Sequence, residues 1–130
     1  MTQTIYNRGV RGATTVNNNE YLEIEESTIE LLKEIIDKNE IEKDSISHVI
    51  FTLTHDLNAG FPAKAARIHL DWSDVPMICT QEIPVPNSLE KCIRVLIVIN
   101  TTKKHKEIKH IYLRNAKNLR PDIVEGLINK

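Results

Sequence analysis

The segment from Lys91 to Asn100 limits the fold more than any other in this chain. Ile93, Val95, Ile97 and Ile99 alternate with Cys92, Arg94, Leu96 and Val98, and successive side chains of a strand point to opposite faces. Ten residues so patterned make a strand. The alternation also sets one arginine on an otherwise apolar face, where an unpaired cation carries a large desolvation penalty. Arg94 therefore calls for an anionic partner.

The other elements build around this strand. Ile5 to Val16 is an apolar and β-branched run interrupted by Gly9 and Gly12, consistent with a first strand whose backbone approaches something closely. It carries Arg8 and Arg11. Asn17, Asn18 and Asn19 offer capping oxygens ahead of a helix from Glu20 to Lys38, whose early glutamates suit the helix dipole. Ile24, Thr28, Leu31, Leu32, Ile35 and Ile36 fall on one face of it, and that face must cover a sheet. His48 to Thr54 reads as a second strand and Val75 to Thr80 as a third. Between them Pro62 opens a short helix running to Leu70. Ile108 to Leu113, with His110 and Tyr112, reads as a fifth strand, and the tail 115–130 has modest helical character.

The order β-α-β-α-β-β-β predicts an α/β chain with a five-stranded mixed sheet packed by one long and one short helix. With 130 residues, a single domain spanning 1–130 is expected. One covering layer leaves the second sheet face bare, so oligomerisation is expected.

Composition removes several function classes. Seventeen Lys and Arg against eighteen Asp and Glu leave a net charge of −1, without the basic excess that drives nucleic-acid or anionic-membrane binding. Aromatic residues are 5% of the chain, too sparse for a base-stacking surface. No apolar run approaches the roughly 20 residues of a spanning helix, and the opening MTQTIYNRG lacks a signal-peptide layout. No nucleic-acid or membrane partner is expected, and a cytoplasmic location is. Cys79 and Cys92 form neither a disulfide framework nor a CxxC pair, and the five histidines show no metal-ligand spacing with them. Glycine-rich nucleotide loops, HExxH and GxSxG are absent from the sequence. His55 and Asp56, adjacent in a turn, form no orienting pair, and no activated nucleophile is evident.

What remains is a set of cations at strand ends and on the short helix: Arg8, Arg11, Lys64, Arg67, Arg94 and Arg120. A guanidinium presents a planar fork matched to carboxylates, so several converging would bind a small polyanion.

Six blocks extend this reading: RGVRGATT at 8–15, FPAKAAR at 61–67, CTQE at 79–82, KCIRV at 91–95, HIYL at 110–113 and LRPD at 119–122. Together they closely resemble the AroH class of monofunctional chorismate mutases, in the family's order and over nearly the whole chain. The resemblance implies a homotrimer whose sheets form a central pseudo-barrel, with active sites between neighbouring subunits. It implies rearrangement of chorismate to prephenate, the branch step toward phenylalanine and tyrosine, without a cofactor. It further implies that Arg94 donates to the substrate's ether oxygen and a carboxylate, and that Arg11 holds a carboxylate. Glu82 would accept from the ring hydroxyl with Cys79 beside the same end of the ring, and Tyr112 would donate to a carboxylate. Phe61, Ala63, Lys64 and Arg67 would come from the adjoining subunit. Leu119 and Arg120 would belong to a mobile tail, 115–130, that closes over the substrate. Ile78 stands where relatives can offer a threonine. The competing reading is a RidA-like trimeric imine deaminase or carboxylate-binding protein, which also places an arginine at subunit clefts but lacks the RGATT, FPAK and KCIRV blocks.

Overall fold

The fold is taken from a computed structural model, which describes residues 3–124. Five strands form one mixed sheet: β1 (Tyr6–Thr15), β2 (Ile46–Leu53), β3 (Met77–Gln81), β4 (Cys92–Thr101) and β5 (Ile111–Tyr112). Their order across the sheet is β3-β2-β4-β1-β5. The alternating strand β4 lies at the centre, antiparallel to β1 on one side and to β2 on the other. β3 and β5 join the two edges in parallel.

Helices α1 (Tyr21–Asn39) and α2 (Pro62–His69) cover one face. Ile24, Thr28, Leu31, Leu32 and Ile35 of α1 are buried there with Val49, Phe51, Val95 and Ile97 of the sheet. Each such aliphatic side chain contributes about 1.5–3 kcal/mol on leaving water. Gly12 allows the close approach expected of β1. A Cβ on it would stand 2.5 Å from Cδ1 of Ile35 and 3.1 Å from Cγ1 of Val95.

The opposite face carries Ile50 and Thr52 of β2, Arg94, Leu96 and Val98 of β4, and Arg11 and Ala13 of β1, as the cross-strand register requires. Among the described residues it is covered by the C-terminal part and Leu89 and is otherwise bare. There a 3₁₀ segment, Arg114–Asn118, leads into a short helix α3 (Pro121–Val124). Ala116, Leu119 and Tyr112 pack with Ala13 and Cys92. Residues 125–130, within the tail expected to be mobile, lie outside the described residues.

Three local expectations are corrected. The asparagines do not cap α1: its N-cap, Glu20, makes no side-chain bond. The Glu23 carboxylate instead accepts the N–H groups of Asn17 and Asn18, and Asn19 Oδ1 accepts those of Asn58 and Ala59 at 3.0 Å. The fifth strand shrinks to Ile111–Tyr112 because side chains take the preceding backbone groups. Asn39 brackets Lys109, accepting its N–H at 2.8 Å and donating to its carbonyl at 2.8 Å. The Arg11 N–H goes to Nδ1 of His110 at 2.9 Å. The third strand begins at Met77 rather than Val75: Val75 is buried, and Pro76, which has no N–H to give, contributes only its carbonyl, to Val49.

Candidate active site

A cavity of about 420 Å³ opens on the bare face, lined by Arg11, Gly12, Ile50, Thr52, Glu82, Arg94, Val95, Leu96, Tyr112, Leu119 and Arg120. Strand parity assembles most of it. Arg94 on β4 faces Ala13 on β1 and Thr52 on β2, and Arg11 faces Leu96. Tyr112 pairs with Ala13 and so shares that face. Glu82 follows β3 directly, where its N–H donates to the Leu53 carbonyl at 2.9 Å.

Among the described residues the charges lining this cavity are three guanidinium groups and one carboxylate. Arg94 Nε lies 3.7 Å from Oε2 of Glu82, and the side chain of Arg94 is 47% exposed. The desolvation expected for Arg94 is thus not met within one chain, because the bare face leaves it open to water. The anionic partner that the sequence called for is Glu82. The Thr52 hydroxyl donates to the same Glu82 oxygen. Arg120 donates to both carboxylate oxygens of Asp122, at 3.1 and 3.0 Å, which holds the Asp122 carboxyl below its usual range. Under Arg11, the His110 ring is pushed down to a pKa of about 4 by burial, reinforced by the positive charges of Arg11 and Arg120. It stays neutral and accepts the Arg11 N–H.

Phe61, Lys64 and Cys79 line a second cavity of about 540 Å³, with Tyr21, Leu57 and Gly60. It lies on the helical side of β2 and β3. Cys79 alternates with Ile78 and Thr80 along β3, so its side chain packs toward the helix-covered core while theirs share the open face with Ile50 and Thr52. Cys79 is therefore not beside Glu82 within one chain. Burial pushes its thiol pKa up, and Cys92, buried under the C-terminal segment, is pushed up to about 11 by burial. Both read as protonated thiols. Lys64 Nζ stands 5.3 Å from the centroid of the Tyr21 ring. Tyr21 in turn donates to Glu25 at 2.8 Å, and Glu25 also meets His69 at 3.2 Å. Ala63 is buried on the inner side of α2, Arg67 is exposed on the same helix, and Ile78 is 61% exposed on the open face; none of the three lines either cavity.

Of the remaining cations, Arg8 turns away from the site, donating to the Lys103 carbonyl at 3.1 Å and lying over the Tyr6 ring. Asp56 is structural. Although burial raises its pKa, bonds from the Thr54 hydroxyl and the Lys91 N–H outweigh that and hold it low. Among the described residues no group of three or more His, Cys, Asp or Glu side chains is placed to hold a metal ion. Sequence reasoning did not single out Ile50, Thr52 and His110. The first two follow from aligning β2 with β4 so that Thr52 opposes Arg94. His110 stands in the HIYL block, which marked the stretch but not the bond its ring makes to the Arg11 N–H.

The sequence model of the family described as chorismate mutase type I matches residues 7–123, a span that includes every residue of the arginine-lined cavity. The chain belongs to that family. Two relatives named chorismate mutase AroH agree. The one from Bacillus subtilis is 41% identical over 116 residues, 89% of this chain and 91% of its own. The one from Thermus thermophilus is 43% identical over 117 residues, 89% of this chain and 95% of its own. Among solved structures, a chorismate mutase from Clostridium thermocellum superposes with a TM-score of 0.83 at 51% identity, covering 85% of this chain and 98% of that one. The mixed five-stranded fold is thus that of a type I chorismate mutase. The RidA-like alternative finds no support in these comparisons.

Proposed function

We propose that this protein is an isomerase that rearranges chorismate to prephenate, in the branch of aromatic amino-acid synthesis leading to phenylalanine and tyrosine. The observation that carries the reading is the convergence of Arg11, Arg94, Arg120 and Glu82 on one cavity in a chain of the chorismate mutase type I family. A net positive cavity suits a dicarboxylate substrate, and its one carboxylate offers an acceptor for a ring hydroxyl.

The reaction is unimolecular: a C–O bond breaks while a C–C bond forms, and no proton or external electron pair is exchanged. It requires no nucleophile, base or cofactor. The substrate's side chain must fold over the ring first, and clamping its carboxylates restricts it to that geometry. As the C–O bond lengthens, negative charge gathers on the ether oxygen. A guanidinium fixed beside that oxygen is worth more in the transition state than in the ground state, which is the condition for acceleration. Arg94 is assigned this role. Arg11 and Tyr112 hold carboxylates, and Glu82 accepts from the ring hydroxyl.

The assembly assigned to the chain is a homotrimer with sites shared between subunits. Two features support it: the apolar side chains of the bare face, Ile78 exposed and Ile50, Leu96 and Val98 partly exposed, and the separation of the family's expected site residues into two cavities of one chain. Phe61, Ala63, Lys64 and Arg67 would complete the neighbour's arginine-lined cavity, and Cys79, on the same side as Phe61 and Lys64, falls with that half. Leu119 and Arg120 would close over bound substrate as the start of the tail, Arg120 exchanging Asp122 for a substrate carboxylate. Among the described residues no helix is long and apolar enough to cross a membrane, and the cytoplasm is the proposed place of work.

The test is direct. Purified protein is mixed with chorismate, and loss of its ultraviolet absorbance is followed alongside acid conversion of the product to phenylpyruvate. Conversion well above the spontaneous rate is expected; conversion at that rate would overturn the reading.

A further inference from the structure

We infer that Thr52 is a positioning residue for this reaction, acting through Glu82. The inference rests on the mutase reading and deepens it. Thr52 stands on β2 directly opposite Arg94 on β4, and its side chain enters the arginine-lined cavity. Its hydroxyl donates to Oε2 of Glu82, the oxygen that lies 3.7 Å from Nε of Arg94. Among the described residues no hydrogen bond reaches Oε1 of Glu82. One carboxylate oxygen is thus anchored while the other is left to accept a substrate hydroxyl.

The anchor matters because of what Glu82 would otherwise do. The last torsion of a glutamate side chain is broad and roughly two-fold, so the carboxylate turns easily. At 3.7 Å the Arg94 contact is an ion pair beyond hydrogen-bond range. Released from Thr52, the carboxylate could close on Arg94 as a bidentate pair, the strongest arrangement open to the two groups. That closure would cost twice: the acceptor for the ring hydroxyl would turn away, and the cation needed at the ether oxygen would already be neutralised. Thr52 holds Glu82 short of that collapse.

The experiment compares kcat and KM for chorismate in the unaltered protein, Thr52→Val, Thr52→Ser, Glu82→Ala and the Thr52→Val/Glu82→Ala pair. Valine keeps the shape and deletes the donor. Thr52→Val is expected to lower kcat about tenfold, the scale of one hydrogen bond to a charged group. Thr52→Ser, which restores the hydroxyl, is expected within about threefold of the unaltered kcat, with KM changing by less than about threefold in both single Thr52 variants. In the Glu82→Ala background, Thr52→Val is expected to cost less than about twofold, because the group it acts through is gone. Losses that multiply in the pair, a serine variant as slow as the valine one, or a valine variant at the unaltered rate would each overturn the inference. Circular dichroism checks folding, and Thr52→Ala runs through the same cycle under the same criteria if the valine variant is unfolded. An unaltered protein that leaves chorismate unchanged would instead overturn the mutase reading, and this inference with it. An active enzyme with multiplying losses sinks the role of Thr52 alone.

Discussion

In the proposed reaction the chemistry turns on Arg94, since it alone is assigned to the ether oxygen, where charge would appear only as the bond breaks. Arg94→Ala is expected to lower kcat by several orders of magnitude, on the scale of about 4 kcal/mol for a key electrostatic donor. Steady-state kinetics decide the point: a rise in KM with kcat unchanged would make Arg94 a binding group only. His110 gives a second test at this scale. Its pKa is about 4 in the fold against 6.5 for the free side chain, so between those values the unfolded chain binds the proton more readily. Stability must therefore fall as pH drops through that window and be complete above it. His110→Asn keeps an acceptor near the Arg11 N–H and cannot titrate. Urea midpoints should show the unaltered protein losing ground to that variant as pH falls from about 6.5 to about 4; a constant gap would show that the ring does not titrate there. Arg94 was legible in the sequence because β-alternation fixes facing, and a lone cation on an apolar face draws notice; Arg11 entered only as one of six cations and through the resemblance. Cys79 was grouped with Glu82, three positions later in the chain, whereas the pleat turns the two to opposite sides of the sheet.

Among the elements, β1 shows how tightly site and core share a backbone. Its Arg11 and Ala13 face the cavity side while Gly12, between them, admits α1. Gly12→Ala would press a methyl against Cδ1 of Ile35, a fully buried atom with little room to retreat. A loss of about 1–3 kcal/mol is expected from such overpacking. Ile35→Val deletes the struck methyl, so thermal unfolding should show the double variant less destabilised than the two single losses combined; strict additivity would locate the strain elsewhere. The two glycines of this strand signalled close approach from sequence, and the approach is real at Gly12. The early end of β5 was not legible, because it depends on Asn39, seventy positions from Lys109 in the chain, supplying the bonds that a strand partner would otherwise make. Similarly, the asparagines ahead of α1 carry cap chemistry, but Asn19 is committed to the loop at Asn58 and Ala59. Local preference gave way to tertiary partners at both places.

For the whole molecule, the bare sheet face was legible from the sequence, since one long helix across one face of five strands leaves the other without a covering layer. What covers it is a question of symmetry. In the proposed homotrimer a ring of identical contacts would bring one protomer's arginine-lined cavity against the next protomer's α2, and this arrangement makes a prediction that no single-chain site shares. On that assignment Arg94→Ala would disable one half of each site, and Lys64→Ala with Arg67→Ala would disable the other. Each variant trimer alone should be nearly inactive. Mixed at equal amounts, unfolded and refolded together, the chains should assemble at random, and about a quarter of the sites would combine an intact Arg94 half with an intact Lys64 half from the neighbour. Activity should recover to about that fraction of the unaltered rate. Mixing without refolding should recover none while subunits stay unexchanged. If both halves came from one chain, every site in the refolded mixture would still carry one lesion, and the mixture would stay as slow as its parts.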